Sequence, residues 1–224
     1  MTSLLKTNSI SAATGSTVSI PSGTTLEIAS GATLSGADMG LASVQTFTSS
    51  GTWNRPSGVT KVVVFVTGGG AGGRSLSGNF SGGGGGGTAI KLLDVSSISS
   101  ATITIGSGGA AVTDGGDSTW SDGTNTITGN GGNYPTSSNG DGGAGGSASG
   151  GDINQPGGYG SYATTGAGGG SSYWGSYGHS NGYNGSAYTI GSTPNIPGNG
   201  GMGWYSSLTP TSGSNGFVYV MEYK

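Results

Sequence analysis

The chain has 224 residues, of which 53 are glycine and none is cysteine, so neither disulfides nor thiolate metal ligands are available to it. Only 7% of the residues are charged and the net charge is −3, which excludes a basic surface for a nucleic-acid backbone. Hydrophobic residues make up 31% of the chain, too few for helices around a large apolar centre, and strands, turns and an oligomer interface are expected instead.

Residues 1–43 contain an eight-residue repeat that is typical of short strands. Gly15, Gly23 and Gly31 are spaced eight residues apart, and between them apolar residues alternate with Thr, Ser or Glu. A unit with a single apolar face needs stacking partners, so we expect this segment to attach or oligomerise the chain as part of a fibre. A small β-meander packed on the next domain is the alternative.

Residues 44–224 are predicted to form a glycine-rich β domain. Its first part, residues 45–132, is rich in strand-like segments, of which the β-branched run Lys61–Thr67 is the clearest. Other strands are predicted at residues 45–48, 88–93, 101–105, 117–120, 125–128 and 216–223. No stretch has the 3.6-residue periodicity of a helix, so the sequence predicts an all-β fold.

Residues 133–215 are predicted to be Gly/Tyr-rich loops, closed by a last strand at 216–224. Eight of the ten tyrosines lie among these glycines. Glycine lets backbones approach one another closely, and polyproline-II-like segments must pair laterally or face water because they have no internal hydrogen bonds. We therefore expect a β-sandwich-like head with polyglycine-II and loop segments.

Several motifs of residues 45–224 follow one another in an order that resembles a known family. They are Thr52-Trp53, Pro56, Gly58-Val59, the Val62–Val66 strand, the Gly82–Gly87 run, Asp94-Val95-Ser96, Ile103-Thr104-Ile105-Gly106 and the terminal Gly216–Tyr223 segment. Together they are similar to the glycine-rich domain at the ends of bacteriophage tail fibres and related receptor-binding proteins. The octads before them resemble the short strand repeats that precede such domains.

This resemblance implies a fold and a kind of function. In the distal adhesins of T-even-like phages, glycine-rich segments pack as bundled polyglycine-II helices whose exposed loops bind a host surface receptor. The resemblance assigns no catalytic residue. The chain departs from that pattern because it has no long, strictly regular Gly-x-x array, which argues against an extended bundle.

Aromatic rings flanked by neutral Asn, Ser and Thr suit sugars or protein loops as ligands. The densest cluster supplies our candidate receptor-binding residues, Tyr173, Trp174, Tyr177, His179 and Tyr183. The alternative is that these rings form the core of a fold with few other apolar side chains. Trp53 and Trp120 lie beside clear strands and are predicted to be core residues.

The sequence indicates no enzyme and no cofactor. His179 is the only histidine, and neither a nucleophile triad nor a phosphate loop is recognisable. The spacing of Asp114, Asp117 and Asp122 does not match that of calcium-binding loops, and we predict that these residues serve in turns. Paired glycosidase carboxylates are conceivable only from Asp141 and Asp152, which nothing in the sequence positions.

These observations lead to one preferred function and two alternatives. The preferred function is a tail-fibre or tail-tip protein, assembled in the host cytoplasm and carried on the virion, that binds a host-surface glycan or outer-membrane protein. We expect it to be a homotrimer joined to other virion tail proteins, with no nucleic-acid partner. The alternatives are a purely structural virion component, such as a fibre segment or capsid decoration, and a glycine-rich ice-binding or extracellular matrix protein. A cytosolic origin fits the short apolar run Val62–Val66 and the polar N-terminus.

Overall fold

A computed structural model describes residues 40–76, 79–136, 141–164, 166–175, 196–203 and 210–224. Of the predicted N-terminal octad region, residues 1–43, the first 39 residues lie outside these described residues. The described part is all-β, as the sequence predicts, and contains no helix, hence none long and apolar enough to span a membrane. Its strands form three antiparallel sheets.

The largest sheet joins the two ends of the glycine-rich domain. Its strands are β1 (Leu41–Phe47), β3 (Lys61–Thr67), β6 (Thr88–Asp94), β11 (Ile153–Gln155) and β13 (Phe217–Tyr223), in the order β1-β13-β3-β6-β11. The alternation of β3 places Val62, Val64 and Val66 on the buried face, because successive side chains point to opposite faces of a strand. In this order the closing strand β13 lies between β1 and β3 rather than at an edge of the sheet.

The second sheet packs on this buried face to form a sandwich. It consists of β2 (Gly51–Asn54), β7 (Ser100–Thr104), β8 (Ser118–Ser121), β9 (Thr126–Gly129) and β10 (Ala148–Ser149), in the order β10-β9-β8-β7-β2. Trp53 and Trp120 are fully buried with ring centroids 6.1 Å apart. Their predicted core role is confirmed, and with Ile103, Ile127 and the β3 valines they form one core between the sheets.

A third sheet is small and was not expected from the sequence. It pairs β12 (Tyr162–Ala163), β5 (Asn79–Ser81) and β4 (Arg74–Leu76) in that order. Together with β10 and β11, strand β12 also shows that residues 133–215, predicted to be loops, contain short paired strands. These strands are two or three residues long, too short for any period-two pattern to reveal them.

Beyond the sandwich, the glycine segments form a laterally hydrogen-bonded bundle. Segment 68–73 lies at its centre, and every third N–H group of this segment donates to the same neighbouring segment. The N–H groups of residues 68 and 71 donate to residues 87 and 84, those of 69 and 72 to 116 and 113, and those of 70 and 73 to 214 and 211, at 2.9–3.0 Å. Three residues per turn and purely lateral hydrogen bonds are the polyglycine-II arrangement that the sequence predicts.

Segment 82–87 is the second central segment and obeys the same period. Its N–H groups donate in turn to residues 158–161, 198–201 and 130–133, and its carbonyl groups accept from segments 68–71, 143–146 and residue 170. It therefore has six hydrogen-bonded neighbours. No long Gly-x-x array is needed, because short segments from distant parts of the chain supply these neighbours.

Glycine is required in these segments by the closeness of the neighbouring backbones. A Cβ atom built on Gly84 would lie 1.9 Å from the carbonyl oxygen of Ala144, and one on Gly70 would lie 2.0 Å from that of Asn199. No side chain fits at such distances. The glycine content of this domain is thus a packing requirement rather than a sign of flexibility.

The bundle has a near end at the sandwich and a far end away from it. Segment 68–73 leaves the sandwich directly after β3, and segment 82–87 returns directly to β6, so residues 73 and 82 mark the far end. Hydrogen bonds to these two segments place residues 112, 143, 161 and 211 at the far end as well. Connections that follow or precede these residues are therefore gathered at one end of the domain.

Candidate functional site

Of the five candidate residues from the sequence, the structure describes Tyr173 and Trp174. Tyr177, His179 and Tyr183 lie outside the described residues. Tyr173 and Trp174 follow the bundle segment that ends at the near end, and they contact the outer face of the large sheet. Their position next to the sandwich results from this segment's direction, which sequence reasoning did not reveal.

These two rings belong to an aromatic cluster that we call the sheet-face cluster. Trp174 lies 5.4 Å from Phe217, 5.8 Å from Phe65 and 6.0 Å from Tyr219 between ring centroids, mostly in edge-to-face arrangements. Tyr173 packs edge-to-face on Trp174 at 5.3 Å. Such pairs are favourable beyond the area they bury, so the cluster fixes both rings on the sheet.

Within the cluster the two candidates differ in how they are held. The indole N–H of Trp174 donates to the Thr67 hydroxyl at 2.8 Å, and that oxygen also lies 2.8 Å from the Thr88 hydroxyl. Trp174 is half-buried, whereas 48% of Tyr173 is exposed. The environment of Trp174 is that of a packing residue, and Tyr173 is the ring that a ligand can reach.

A second surface, which sequence reasoning missed, is the far end of the bundle. The far-end surface consists of the β4–β5 hairpin, the turn at residues 110–112, residues 134–136 and the segment at 162–164. Tyr162 is 43% exposed and Val112 46% exposed on it. The only sequence signal for this surface was the alternation of glycine segments with short polar and aromatic stretches.

Side-chain hydrogen bonds join the parts of the far-end surface. Arg74 donates from Nη1 to the carbonyl oxygens of Pro135 at 3.0 Å and Thr136 at 2.9 Å. The Tyr162 hydroxyl donates to Asn79 Oδ1 at 2.7 Å. These bonds connect segments that are far apart in sequence, so the surface is held in one arrangement before any ligand arrives.

Val112 occupies an unusual backbone conformation on this surface. Its φ is +62°, the only positive value at a non-glycine position among the described residues. A β-branched residue rarely adopts this region, at a cost on the order of 1–3 kcal/mol. The N–H of Val112 donates to the Gly73 carbonyl oxygen at 3.0 Å, which holds the turn against the central segment.

The aspartates singled out in the sequence have separate structural roles. Asp122 accepts the N–H groups of Thr124 and Asn125 in the β8–β9 hairpin, which confirms its predicted turn role. The turn prediction is wrong for Asp114 and Asp117, which accept the N–H groups of Tyr134 at 2.7 Å and Gly131 at 2.8 Å across segments. Their partners are far along the chain, so local spacing did not indicate them.

The other acidic residues that the structure describes do not gather into one site. Asp152 forms an ion pair with Lys91 at 3.4 Å, and its hydrogen bond from the Leu92 N–H lowers its pKa. Glu222 is buried and accepts hydrogen bonds from Gln45 and from the Trp53 indole N–H, each at 2.7 Å, and from Ser43. Across the described ranges, no three His, Cys, Asp or Glu residues lie together as a metal site would require.

Comparison with known proteins identifies a family for most of the chain. A search of curated proteins gave no match. The model of a family described as "Glycine-rich domain" matches residues 42–223, which extends from the first strand of the large sheet to the last. The chain therefore belongs to this glycine-rich domain family.

Proposed function

We propose that this chain is a bacteriophage tail-fibre or tail-tip protein that binds the host cell surface through its glycine-rich head, without catalysis. The observation that carries the proposal is the far-end surface. Connections from distant parts of the chain are gathered at one end of a rigid bundle and joined there by side-chain hydrogen bonds. Preorganised loops on a rigid scaffold are the usual arrangement of a recognition surface.

The chemistry of the far-end surface fits a neutral ligand. Arg74, its one described cation, is engaged by two backbone carbonyl groups, and the exposed Asp114 accepts the N–H of Tyr134 on this surface. The other exposed side chains include Tyr162, Val112, Thr113 and Thr136. Tyrosine with small polar neighbours offers large contact area at low entropic cost. A host-surface glycan or a loop of an outer-membrane protein is the partner class that we propose.

The proposed protein acts as part of an assembly. We propose a homotrimer attached to other virion tail proteins, assembled in the host cytoplasm and carried on the virion. Several heads on one particle would then bind with an avidity above that of a single head, because the second contact is intramolecular.

A purely structural virion component is the second candidate. The packing of Trp174 against the large sheet and its hydrogen bond to Thr67 favour it, since they show that aromatic residues of the Gly/Tyr-rich region serve packing. On this view the far-end surface contacts another virion protein. An ice-binding or matrix protein is the weakest alternative because the Thr residues lack a regular array.

The test is binding of fluorescently labelled protein to a panel of candidate host bacteria. We expect the wild type to bind and Tyr162→Ala to bind roughly tenfold more weakly, because a central tyrosine commonly carries this much of a contact. Tyr162→Phe keeps the ring but removes the hydroxyl that donates to Asn79, so it distinguishes the contribution of the ring from that of the hydrogen bond. Tyr159→Ala is the matched control, since Tyr159 is 75% exposed on the flank of the bundle and should be dispensable.

Two outcomes decide between the surfaces and the functions. Loss of binding in Tyr173→Ala but not in Tyr162→Ala would move the contact to the sheet-face cluster. A folded wild type that binds none of the bacteria, but binds a purified virion protein, would favour the structural candidate.

A further inference from the structure

A small cavity opens beside the sheet-face cluster, at the near end of the bundle. Its volume is about 240 Å³, and it is lined by Thr48, Pro197, Ser214, Asn215, Gly216 and Phe217. Thr48 follows the last residue of β1, which pairs with Val218, so Thr48 and Phe217 lie side by side at the end of the large sheet. This volume is below the roughly 300–1,000 Å³ of pockets for drug-sized ligands, so it suits one small unit.

The cavity combines an aromatic ring with the polar groups of Thr48, Ser214 and Asn215. Asn215 Oδ1 accepts the Gly108 N–H at 2.8 Å, which fixes the side-chain amide and leaves its NH₂ group as a donor. Within the described ranges, neither this NH₂ group nor the hydroxyls of Thr48 and Ser214 has a hydrogen-bond partner. The NH₂ group can donate and the two hydroxyls can donate or accept, so they can pair with the hydroxyl groups of a polyhydroxylated ligand.

The Phe217 ring and the neutral charge of the described lining residues indicate which class of ligand fits. Phe217 is held edge-to-face against Trp174 at 5.4 Å, so its position is set by the sheet-face cluster. The negative face of an aromatic ring attracts the weakly positive C–H groups of a sugar ring. None of the six described lining residues carries a charge, so these residues favour a neutral ligand over phosphate, sulfate, carboxylate or ammonium.

We propose that this cavity is a binding site for a single neutral pyranose unit, packed on Phe217 and Pro197 and hydrogen-bonded by Thr48, Ser214 and Asn215. The site is at the opposite end of the bundle from the far-end surface. It therefore stands apart from the proposed function, and its test needs neither host cells nor a virion.

The test is saturation-transfer NMR on the full chain with a panel of neutral pyranoses: glucose, galactose, mannose, rhamnose and N-acetylglucosamine. We expect at least one to bind with millimolar affinity, and its addition to shift the amide resonances of residues 214–217 in an isotope-labelled sample. The corresponding oligosaccharide distinguishes a polysaccharide source from a free sugar, since a chain end or branch should bind more tightly than the monosaccharide.

Three variants locate the binding. Thr48→Val keeps the shape of the side chain but removes its hydroxyl, and Asn215→Asp keeps the acceptor for Gly108 but removes the NH₂ donor. Each should weaken sugar binding at least fivefold. Thr46→Val is the matched control, because Thr46 is an exposed residue of β1 that does not line the cavity, and this variant should bind as the wild type does.

Two results would overturn the proposal. One is the absence of saturation transfer from the protein to any of the sugars at 50 mM, a concentration on the order of ten times the dissociation constant expected here. The other is binding that Thr48→Val and Asn215→Asp leave unchanged, or that moves resonances away from residues 214–217.

Discussion

Individual residues in this protein are constrained in two different ways. Bundle glycines are constrained by space, since a Cβ atom would meet a neighbouring carbonyl oxygen. Glu222 is constrained by hydrogen bonds, because it is buried in the sandwich and accepts the Trp53 indole N–H and the Gln45 amide. In a domain with few apolar side chains, backbone contact and satisfied polar groups take over part of the role of a large core.

Substitution of a bundle glycine should destabilise the domain strongly. In Gly84→Ala the new methyl group would meet the Ala144 carbonyl oxygen at 1.9 Å, so the segments must separate. We expect a loss of about 3 kcal/mol or more, which lowers Tm by roughly 6–12 °C in a domain of this size. Gly51→Ala is the control, since nothing lies within 4 Å of its Cβ position, and Tm should stay near that of the wild type. Equal Tm values for both variants, measured by calorimetry, would contradict the bundle.

Removal of the Glu222 carboxylate should leave a buried donor unpaired. Glu222→Ala deprives the Trp53 indole N–H of its acceptor and opens a cavity, so we expect a loss of about 3 kcal/mol in the free energy of unfolding. Glu222→Gln keeps an oxygen acceptor for Trp53 and Gln45 and should lose less than about half of that. Chemical denaturation measures both, and a Gln variant as unstable as the Ala variant would show that the negative charge itself is required.

The elements differ in where their hydrogen bonds go. The two large sheets contain strand pairs that are close in sequence, such as β8–β9 and β3–β6, but the closing strand β13 pairs with β1 and β3 from the other end of the domain. Bundle segments pair with neighbours up to about 140 residues away, such as residue 70 with residue 214. Local hairpins such as β8–β9 can therefore form early, whereas the bundle and the two pairs of β13 depend on the closure of long loops.

The β8–β9 hairpin should become less stable in acid. Burial raises the pKa of Asp122, but hydrogen bonds from Asn125 and Thr124 outweigh this effect and hold its pKa below the usual value. A carboxyl group with a lowered folded-state pKa stabilises the protein above its unfolded-state pKa, and this contribution is lost as the pH falls through the folded-state pKa. At pH 7 the free energy of unfolding of the wild type should therefore be about 1 kcal/mol higher than that of Asp122→Ala.

The same comparison at low pH supplies the check. Below the folded-state pKa of Asp122, the wild type and Asp122→Ala should differ less in their free energy of unfolding. Urea denaturation across pH 2–7 measures this difference. A difference that stays constant over this range would mean that the charge of Asp122 has no part in the hairpin.

At the scale of the whole molecule, the glycine-rich domain consists of a packed sandwich and a far-end surface, with the glycine bundle between them. The sandwich holds the core, and the rigid bundle carries the loops away from it. The two proposed sites lie at opposite ends of this bundle. The predicted attachment segment, residues 1–43, lies almost wholly outside the described residues, and its role stays a prediction.

The octads should determine the oligomeric state. We expect light scattering to give three times the chain mass of 21.4 kDa for the full chain. A variant that begins at Met39, where the compact glycine-rich unit starts, should be a folded monomer. A monomeric full chain would show that the predicted fibre-like repeat does not oligomerise the protein by itself.

The sequence alone determined the all-β fold, the main strands and the buried tryptophans. It could do so because the β-branched apolar run at Lys61–Thr67 and the strand-like flanks of Trp53 and Trp120 are local patterns that indicate buried strands. It also indicated polyglycine-II segments. Only the tertiary structure decided which segments are neighbours, since a polyglycine-II segment has no internal hydrogen bonds and each residue's partner lies elsewhere in the chain. For the same reason only the structure separated the anchored Trp174 from the exposed Tyr173 and brought the far-end loops together.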